Sequence, residues 1–297
     1  MVRKLISRLG VLIDEYYSRK LSNQLVITFL GMFALIIAIC SVSIYVGIFN
    51  ILKKNTENNI IQQFRQYEYN INSFCEGVDL ISRQLITDAN LQNITGYSSL
   101  SADEQIILRA NVLRKFSDTL SNYSHIDSII FYSGDGLILR ANSVKSEVEY
   151  SEESKKNWFY NSELFKKAKA DRMKLVWAGG YTDREFNVAK DEMTNQAEQL
   201  PKYYISAVRT VFYGNLTGTL IINIKMHEFT SVYNNWNIDQ VDEMYIMNDN
   251  GKIISHVNEE KIGSLNNAYK DLPRPHTNLS FSVIDRSQNA RFISYLW

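Results

Sequence analysis

Cysteine is nearly absent from this chain: two in 297 residues, Cys40 and Cys75. Cys40 lies inside a long apolar run, so the two are badly placed to pair, and the fold is not a disulfide scaffold. Cys75 either cross-links two copies or stays an unpaired thiol. Proline is scarce, at three residues, which excludes long proline-rich linkers. Neither sign of charge is in excess, since 32 basic and 32 acidic side chains cancel. Phosphate binding needs a surplus of Lys and Arg on one face, so nucleic acid is excluded as a partner. Catalytic motifs are also missing. The four histidines, His125, His227, His256 and His276, are far apart, and His227-Glu228 has Ser231 where a zinc-protease helix needs its second histidine. No Gly-x-Ser-x-Gly and no phosphate-binding glycine loop occurs. The chain reads as a non-enzyme with no metal and no cofactor.

What is present begins with residues 25–49, which contain no charged side chain and no histidine. At about 1.5 Å per residue a helix of this length exceeds the roughly 30 Å hydrocarbon core of a bilayer. It is too long for the apolar part of a signal peptide, so an uncleaved anchor is expected. Arg3, Lys4, Arg8, Arg19 and Lys20 precede the run, and Lys53 and Lys54 follow it. Five cations against two place the N-terminus in the cytoplasm and the remaining mass outside.

A helical stalk should follow. Ile60, Phe64, Tyr67, Ile71, Phe74, Val78, Ile81 and Leu85 are spaced alternately by four and three residues, an apolar seam with a period of 3.5. Such a helix would rise roughly 55 Å. The seam serves either a homodimer or packing on the chain's own domain, and different segments of a long helix can do each. Ser101-Ala102-Asp103-Glu104 is a capping box, opening a helix to about residue 123 with Ile106, Ile107, Ala110, Leu113, Phe116 and Leu120 along one stripe.

The period then changes to that of strands. Residues 126–142 (IDSIIFYSGDGLILRAN) and 241–257 (VDEMYIMNDNGKIISHV) resemble one another at an offset of 115, with Asp127 over Asp242, Gly136 over Gly251 and Ile138 over Ile253. Each reads as a hairpin closed by a glycine, and the repetition points to two copies of one α/β module. A helix at 155–170, a short strand at 174–177, a polar loop at 178–202 and a strand pair at 203–212 and 218–224 complete the first copy. A final strand at 290–297 ends the second, which reads as incomplete.

In this order the elements resemble double Cache (dCache) sensor ectodomains of YesM-type sensor histidine kinases. The carriers are residues 126–142, Trp158-Phe159, Ala207-Val208-Arg209 with Gly218-Thr219-Leu220, and 244–256 with Ile262-Gly263. The fold class this implies is α+β: a transmembrane helix (25–49) after a cytoplasmic segment (1–24), a stalk helix (50–100), and two PAS-like modules with antiparallel sheets. The first module, at 101–234, is membrane-distal. The second, at 235–297, is cut short before a second membrane helix. The function implied is extracellular ligand sensing for a two-component kinase, with a non-signalling surface-anchored binding protein or the ectodomain of a chemoreceptor or cyclase as alternatives.

The ligand of such domains sits in the distal module. The family pattern for amino-acid binding places Trp158, Tyr181 and Asp183 in the pocket. Lys156, Phe159 and Asn223 stand where that pattern has Arg, Tyr and Asp. Lysine lacks the bidentate fork for a carboxylate, and asparagine cannot neutralise an ammonium. The implied ligand is therefore a small polar organic molecule, such as a sugar or sugar derivative, rather than a free amino acid. Trp158, Trp177 and Tyr181 would supply aromatic walls, and Asp183, Asn223, Arg209 and Lys156 polar groups. For the two tryptophans the alternative is ordinary core packing, and for Arg209 a structural salt bridge.

Overall fold

The computed structural model describes residues 21–143, 146–150, 161–170, 173–182, 202–214, 216–234, 245–248, 251–265, 282–285 and 290–293. The chain divides into two compact units, Met1–Arg65 and Gln66–Trp297.

Helix α1 (Leu21–Ile86) contains the apolar run at 25–49. It is long and apolar enough to cross a membrane, and its most apolar stretch is entirely unburied. Leu30, Phe33, Ile37 and Ile44 all face outward. In water so much exposed apolar surface would be costly, and lipid removes that cost.

From Gln66 onward the same helix belongs to the second unit. The upper part of the heptad seam packs on the chain's own domain: Tyr67, Ile71, Val78, Ile81 and Leu85 are buried in the main core, and Phe74 packs beside them. Cys75 lies half-buried against that core, where burial pushes its thiol up to about 12. After α1 come α2 (Ala89–Asn93), N-capped by Asp88, and a 3₁₀ segment at Ile94–Ser99. Helix α3 (Ala102–Asn122) begins with the predicted capping box, in which the Ser101 N–H donates to Glu104 Oε2 at 2.9 Å. It buries Leu108, Val112, Phe116 and Leu120. Ile106 and Ile107, expected on the apolar stripe, are exposed, because the buried face follows 108, 112 and 116.

The central sheet has six antiparallel strands in the order β3-β2-β1-β6-β5-β4. They are β1 (Ile126–Ser133), β2 (Leu137–Asn142), β3 (Ser146–Tyr150), β4 (Val176–Thr182), β5 (Tyr203–Tyr213) and β6 (Leu216–Lys225). Both predicted hairpins form. Gly136 closes β1–β2 at φ 98°, and Gly251 closes β7 (Tyr245–Met247) and β8 (Ile253–His256) at φ 75°, a backbone region that favours glycine. Strand β3, absent from the sequence reading, extends the sheet at one edge. Strand β4 runs on to Thr182, so residues 178–182 are sheet rather than the start of a polar loop. The helix expected at 155–170 is described from Glu163 to Ala170 (α4). Helix α5 (Met226–Asn234) follows β6, and β9 (Ser282–Asp285) pairs with β10 (Ala290–Ile293).

Side chains alternate across each strand, giving the sheet two unlike faces. Ile129, Phe131, Leu137, Leu139, Ala207, Val211, Leu220 and Ile222 join α1 and α3 in the main core. Ile130, Tyr132, Ile138, Val176, Tyr204, Val208 and Ile221 point the other way and pack with Leu164, Phe165 and Ala168 of α4. The β7–β8 hairpin is tied to the first module. The Tyr233 hydroxyl of α5 lies 2.7 Å from Ser255 Oγ, and a Cβ at Gly179 would come within 2.7 Å of Ile254 Cβ.

Candidate ligand face

Among the described residues the face carrying Tyr204 and Ile221, free of α1 and α3, packs against α4 and holds a set of buried polar groups among its apolar ones. At its centre a carboxamide is held between two hydroxyls. Ser206 Oγ donates to Asn223 Oδ1 at 2.7 Å, and Asn223 Nδ2 donates to Ser128 Oγ at 3.0 Å. All three residues are completely buried. The register makes this unavoidable, since Asn223 is directly opposite both Ser128 on β1 and Ser206 on β5. Thr210 and Thr219 form a second cross-strand pair at 3.3 Å.

Asp127 completes the cluster. A register shift between Ile126 and Ser128 makes it a bulge residue, and bulges re-aim side chains. Its Oδ2 accepts the Tyr204 hydroxyl at 2.8 Å, and its Oδ1 accepts from the Lys202 ammonium. That ammonium also lies 5.6 Å from the centre of the Tyr204 ring.

The structure separates the expected site residues. Tyr181 packs with the free-face cluster and Asn223 sits in its centre. Trp177 packs on the opposite side with the main core. Trp177 and Tyr181 are four residues apart, which in a regular strand puts them on one face. The bulge at Gly179–Gly180 removes that relation: Trp177 stands opposite Ala207, whereas Tyr181 stands opposite Tyr204. Gly180 adopts φ 77° there, the glycine-bulge conformation. The expectation that Trp177 walls the same pocket as Tyr181 is corrected accordingly. Lys156, Trp158 and Asp183 lie outside the described residues.

Arg209 also faces the helices, so its expected place among the polar groups around Asn223 is corrected too. Its guanidinium pairs with Asp79 of α1, which is itself held by Arg83 at 2.8 Å. Burial lowers the Arg209 pKa, with Asp79 opposing the shift, and Nε finds no partner among the described residues. Four residues along β5, the Tyr213 hydroxyl donates to the Ile86 carbonyl at 2.6 Å, satisfying one of the open carbonyls at the end of α1. Burial pushes Tyr213 up to about 12. Strand β5 thus carries Tyr204, Ser206 and Val208 toward the free face and two polar ties to α1 on the other.

Sequence reasoning missed Asp127, Lys202, Tyr204, Ser128 and Ser206. Asp127 was visible only as a marker of the repeat. The bulge that turns it inward has no glycine to announce it.

Residues 49–295 match the dCache_1 family model, a Cache domain. The fold is similar to the sensory domain of the Campylobacter jejuni chemoreceptor Tlp3 with isoleucine bound, at 16% identity and TM-score 0.50, over 74% of this chain and 80% of that one. It is also similar to the extracellular domain of vpHK1S-Z8, a protein designated a histidine kinase, at 14% identity and TM-score 0.52, over 77% and 85%. No curated protein matches the chain.

Proposed function

The chain belongs to the dCache_1 family of Cache domains, and from that premise we propose that it is the extracellular ligand-sensing region of a membrane-bound sensor histidine kinase. The observation that carries the reading is the division of labour across one sheet. One face is seated on α1, and the other presents buried, oriented polar groups beneath a short helix. A small polar molecule fits the second face, within a distal module at 101–234 and above a proximal one at 235–297. Asp183, Trp158 and Lys156 are the further residues proposed to line the pocket. The cation asymmetry around residues 25–49 supports a cytoplasmic N-terminus and an outside ectodomain. A second copy would pair along the lower seam, at Ile60 and Phe64. No step of this function requires catalysis by the chain.

Signalling is a population shift. Ligand on the free face favours one setting of β5, and the Arg209–Asp79 and Tyr213–Ile86 ties carry that setting to α1. A chemoreceptor ectodomain is the second reading, since Tlp3 shares the fold. The test is a thermal-shift screen of the full chain in lipid nanodiscs against sugars, amino acids, organic acids and amines. A compound that raises the Tm, and loses its effect in Asn223→Ala, establishes the sensor. A cooperative melt that no compound shifts would move the function to a partner protein.

A further inference from the structure

A run of aromatic rings joins α1, the turn before β1, and α5, and the ligand face makes no use of it. We propose that the seat of α5 on α1 is an acid-sensitive latch, with His125 as the ring that loosens it. The latch works whichever molecule the sheet binds, so it goes beyond the sensor reading.

Phe74 of α1 stands edge-on to Phe229 of α5, with ring centres 5.6 Å apart and planes at 67°. The run continues from Phe229 to Tyr233 at 6.1 Å. The Tyr233 hydroxyl in turn lies 2.7 Å from Ser255 Oγ on β8. Phe229 and Tyr233 are both buried, and edge-on rings attract beyond their buried area. Helix α5 therefore links α1 to the β7–β8 hairpin. His125, in the turn between α3 and β1, packs on the same Phe74 ring, 5.1 Å away at 62°, and on Tyr123 at 5.9 Å and 69°. A single titratable ring thus supports the phenylalanine on which α5 is seated.

The backbone at His125 is bolted to the end of β6. The Lys225 N–H donates to the His125 carbonyl at 3.0 Å, and the Lys225 ammonium donates to the Ser124 carbonyl at 2.6 Å. If the imidazole becomes charged, the turn cannot carry it into water, so the ring itself must swing out. Burial holds the His125 pKa below the ordinary 6.5, with Glu228 of α5 opposing the shift and Lys225 adding to it. From α1 and α3 it meets the Phe74 and Tyr123 rings. Glu228 Oε1 also lies 3.4 Å from Nε2 of the exposed His227. Once protonated, His227 draws on the same carboxylate, so acid charges His125 and weakens its counter-ion together. The folded chain binds fewer protons at His125 than the unfolded chain does. The latch is therefore at full strength above pH 6.5 and slackens as the pH falls through the lower, folded value. When the ring leaves, Phe74 loses a neighbour and α5 part of its footing.

The test is hydrogen exchange of the full chain in nanodiscs at about pH 8 and about pH 5, on either side of the ordinary histidine value, corrected for intrinsic rates and referred to the start of α3. Protection of α5 should fall a few-fold or more on acidification in wild type. It should hold within about twofold in His125→Phe, which keeps a ring and takes no charge, and should still fall in His227→Gln. Unchanged α5 protection in wild type, or an equal fall in His125→Phe, overturns the latch. So does a fall that His227→Gln abolishes and His125→Phe does not. Should His125→Phe fail to fold, the wild-type histidine resonances decide, assigned by elimination through single Gln variants of the other three. His125 is expected to titrate below 6.5. A midpoint at or above that value means that the neighbouring rings welcome the cation, and the latch fails. Ligand binding is read separately by the thermal-shift screen, so each reading can fall without the other.

Discussion

Among the described residues, the two faces of the central sheet each hold one partly buried ion pair, and the pairs are built in opposite ways. On the helix side the cation is the buried member: Arg209 is 3% exposed and Asp79 27%. On the free side the anion is buried, and its lysine is half in solvent. The Arg209 guanidinium is closed off from water beside α1, whereas water reaches the Lys202 side chain. The same chemical contact is therefore shielded on one face and partly solvated on the other. What decides between them is which partner water can reach.

The sharpest way to break this comparison is to remove the anion on the helix side. Asp79→Ala strands the Arg209 guanidinium and should cost about 3–5 kcal/mol, read by denaturant unfolding of the unit Gln66–Trp297. An equal loss in Lys202→Met would erase the distinction. Its expected cost is smaller, about 1–2 kcal/mol, because water can take up the position the ammonium leaves. Between these lies Asn223→Ala, which orphans the bonding of two buried serines and should cost about 1–3 kcal/mol.

Two further outcomes test the helix side alone. Tyr213→Phe should cost about 1 kcal/mol by losing its bond to the Ile86 carbonyl. The wild-type protein should also show a pH effect there. The folded Tyr213 titrates at about 12, above its ordinary value of 10.0. Its contribution is thus complete below pH 10 and lost as pH rises through 12. Tyr233, also pushed to about 12, behaves in the same sense, so the difference between wild type and Tyr213→Phe isolates one residue. Smallest in energy is a kinetic sign: with its thiol pushed to about 12, Cys75 should label with maleimide far more slowly than a free thiol at pH 8, and denaturant should restore the rate.

Much of this architecture was legible in the sequence because local chemistry governs it. Gly136 and Gly251 announce their hairpins, Ser101 and Glu104 open α3, and the unbroken run at 25–49 announces a helix long and apolar enough to cross a membrane. The seam was also plain, but its period says only that the helix packs along its length. That Tyr67 to Leu85 pack on the chain's own sheet is a tertiary fact. The candidate site was less legible, because it depends on which face each residue takes. Trp177 and Tyr181 look alike by spacing, and the Gly179–Gly180 pair that separates them reads equally well as a loop. Arg209 follows strand alternation correctly, yet nothing local says that α1 rather than a ligand covers its side. Asp127 is two residues from Ile129, which predicts that the two share a face, and only the β1–β6 register reveals the bulge.

The paired ties between β5 and α1 constrain the kind of motion the helix can make. Arg209 and Tyr213 are four strand residues apart, about 13 Å. Asp79 and Ile86, their partners, are seven helical residues apart, about 10.5 Å, and lie within roughly 20° of one another around the helix. A rod pinned at one point pivots. Pinned at two points along one edge, this stretch of helix is held against pivoting on the strand. The upper turns of the helix are thus fixed in direction by two bonds from a single strand.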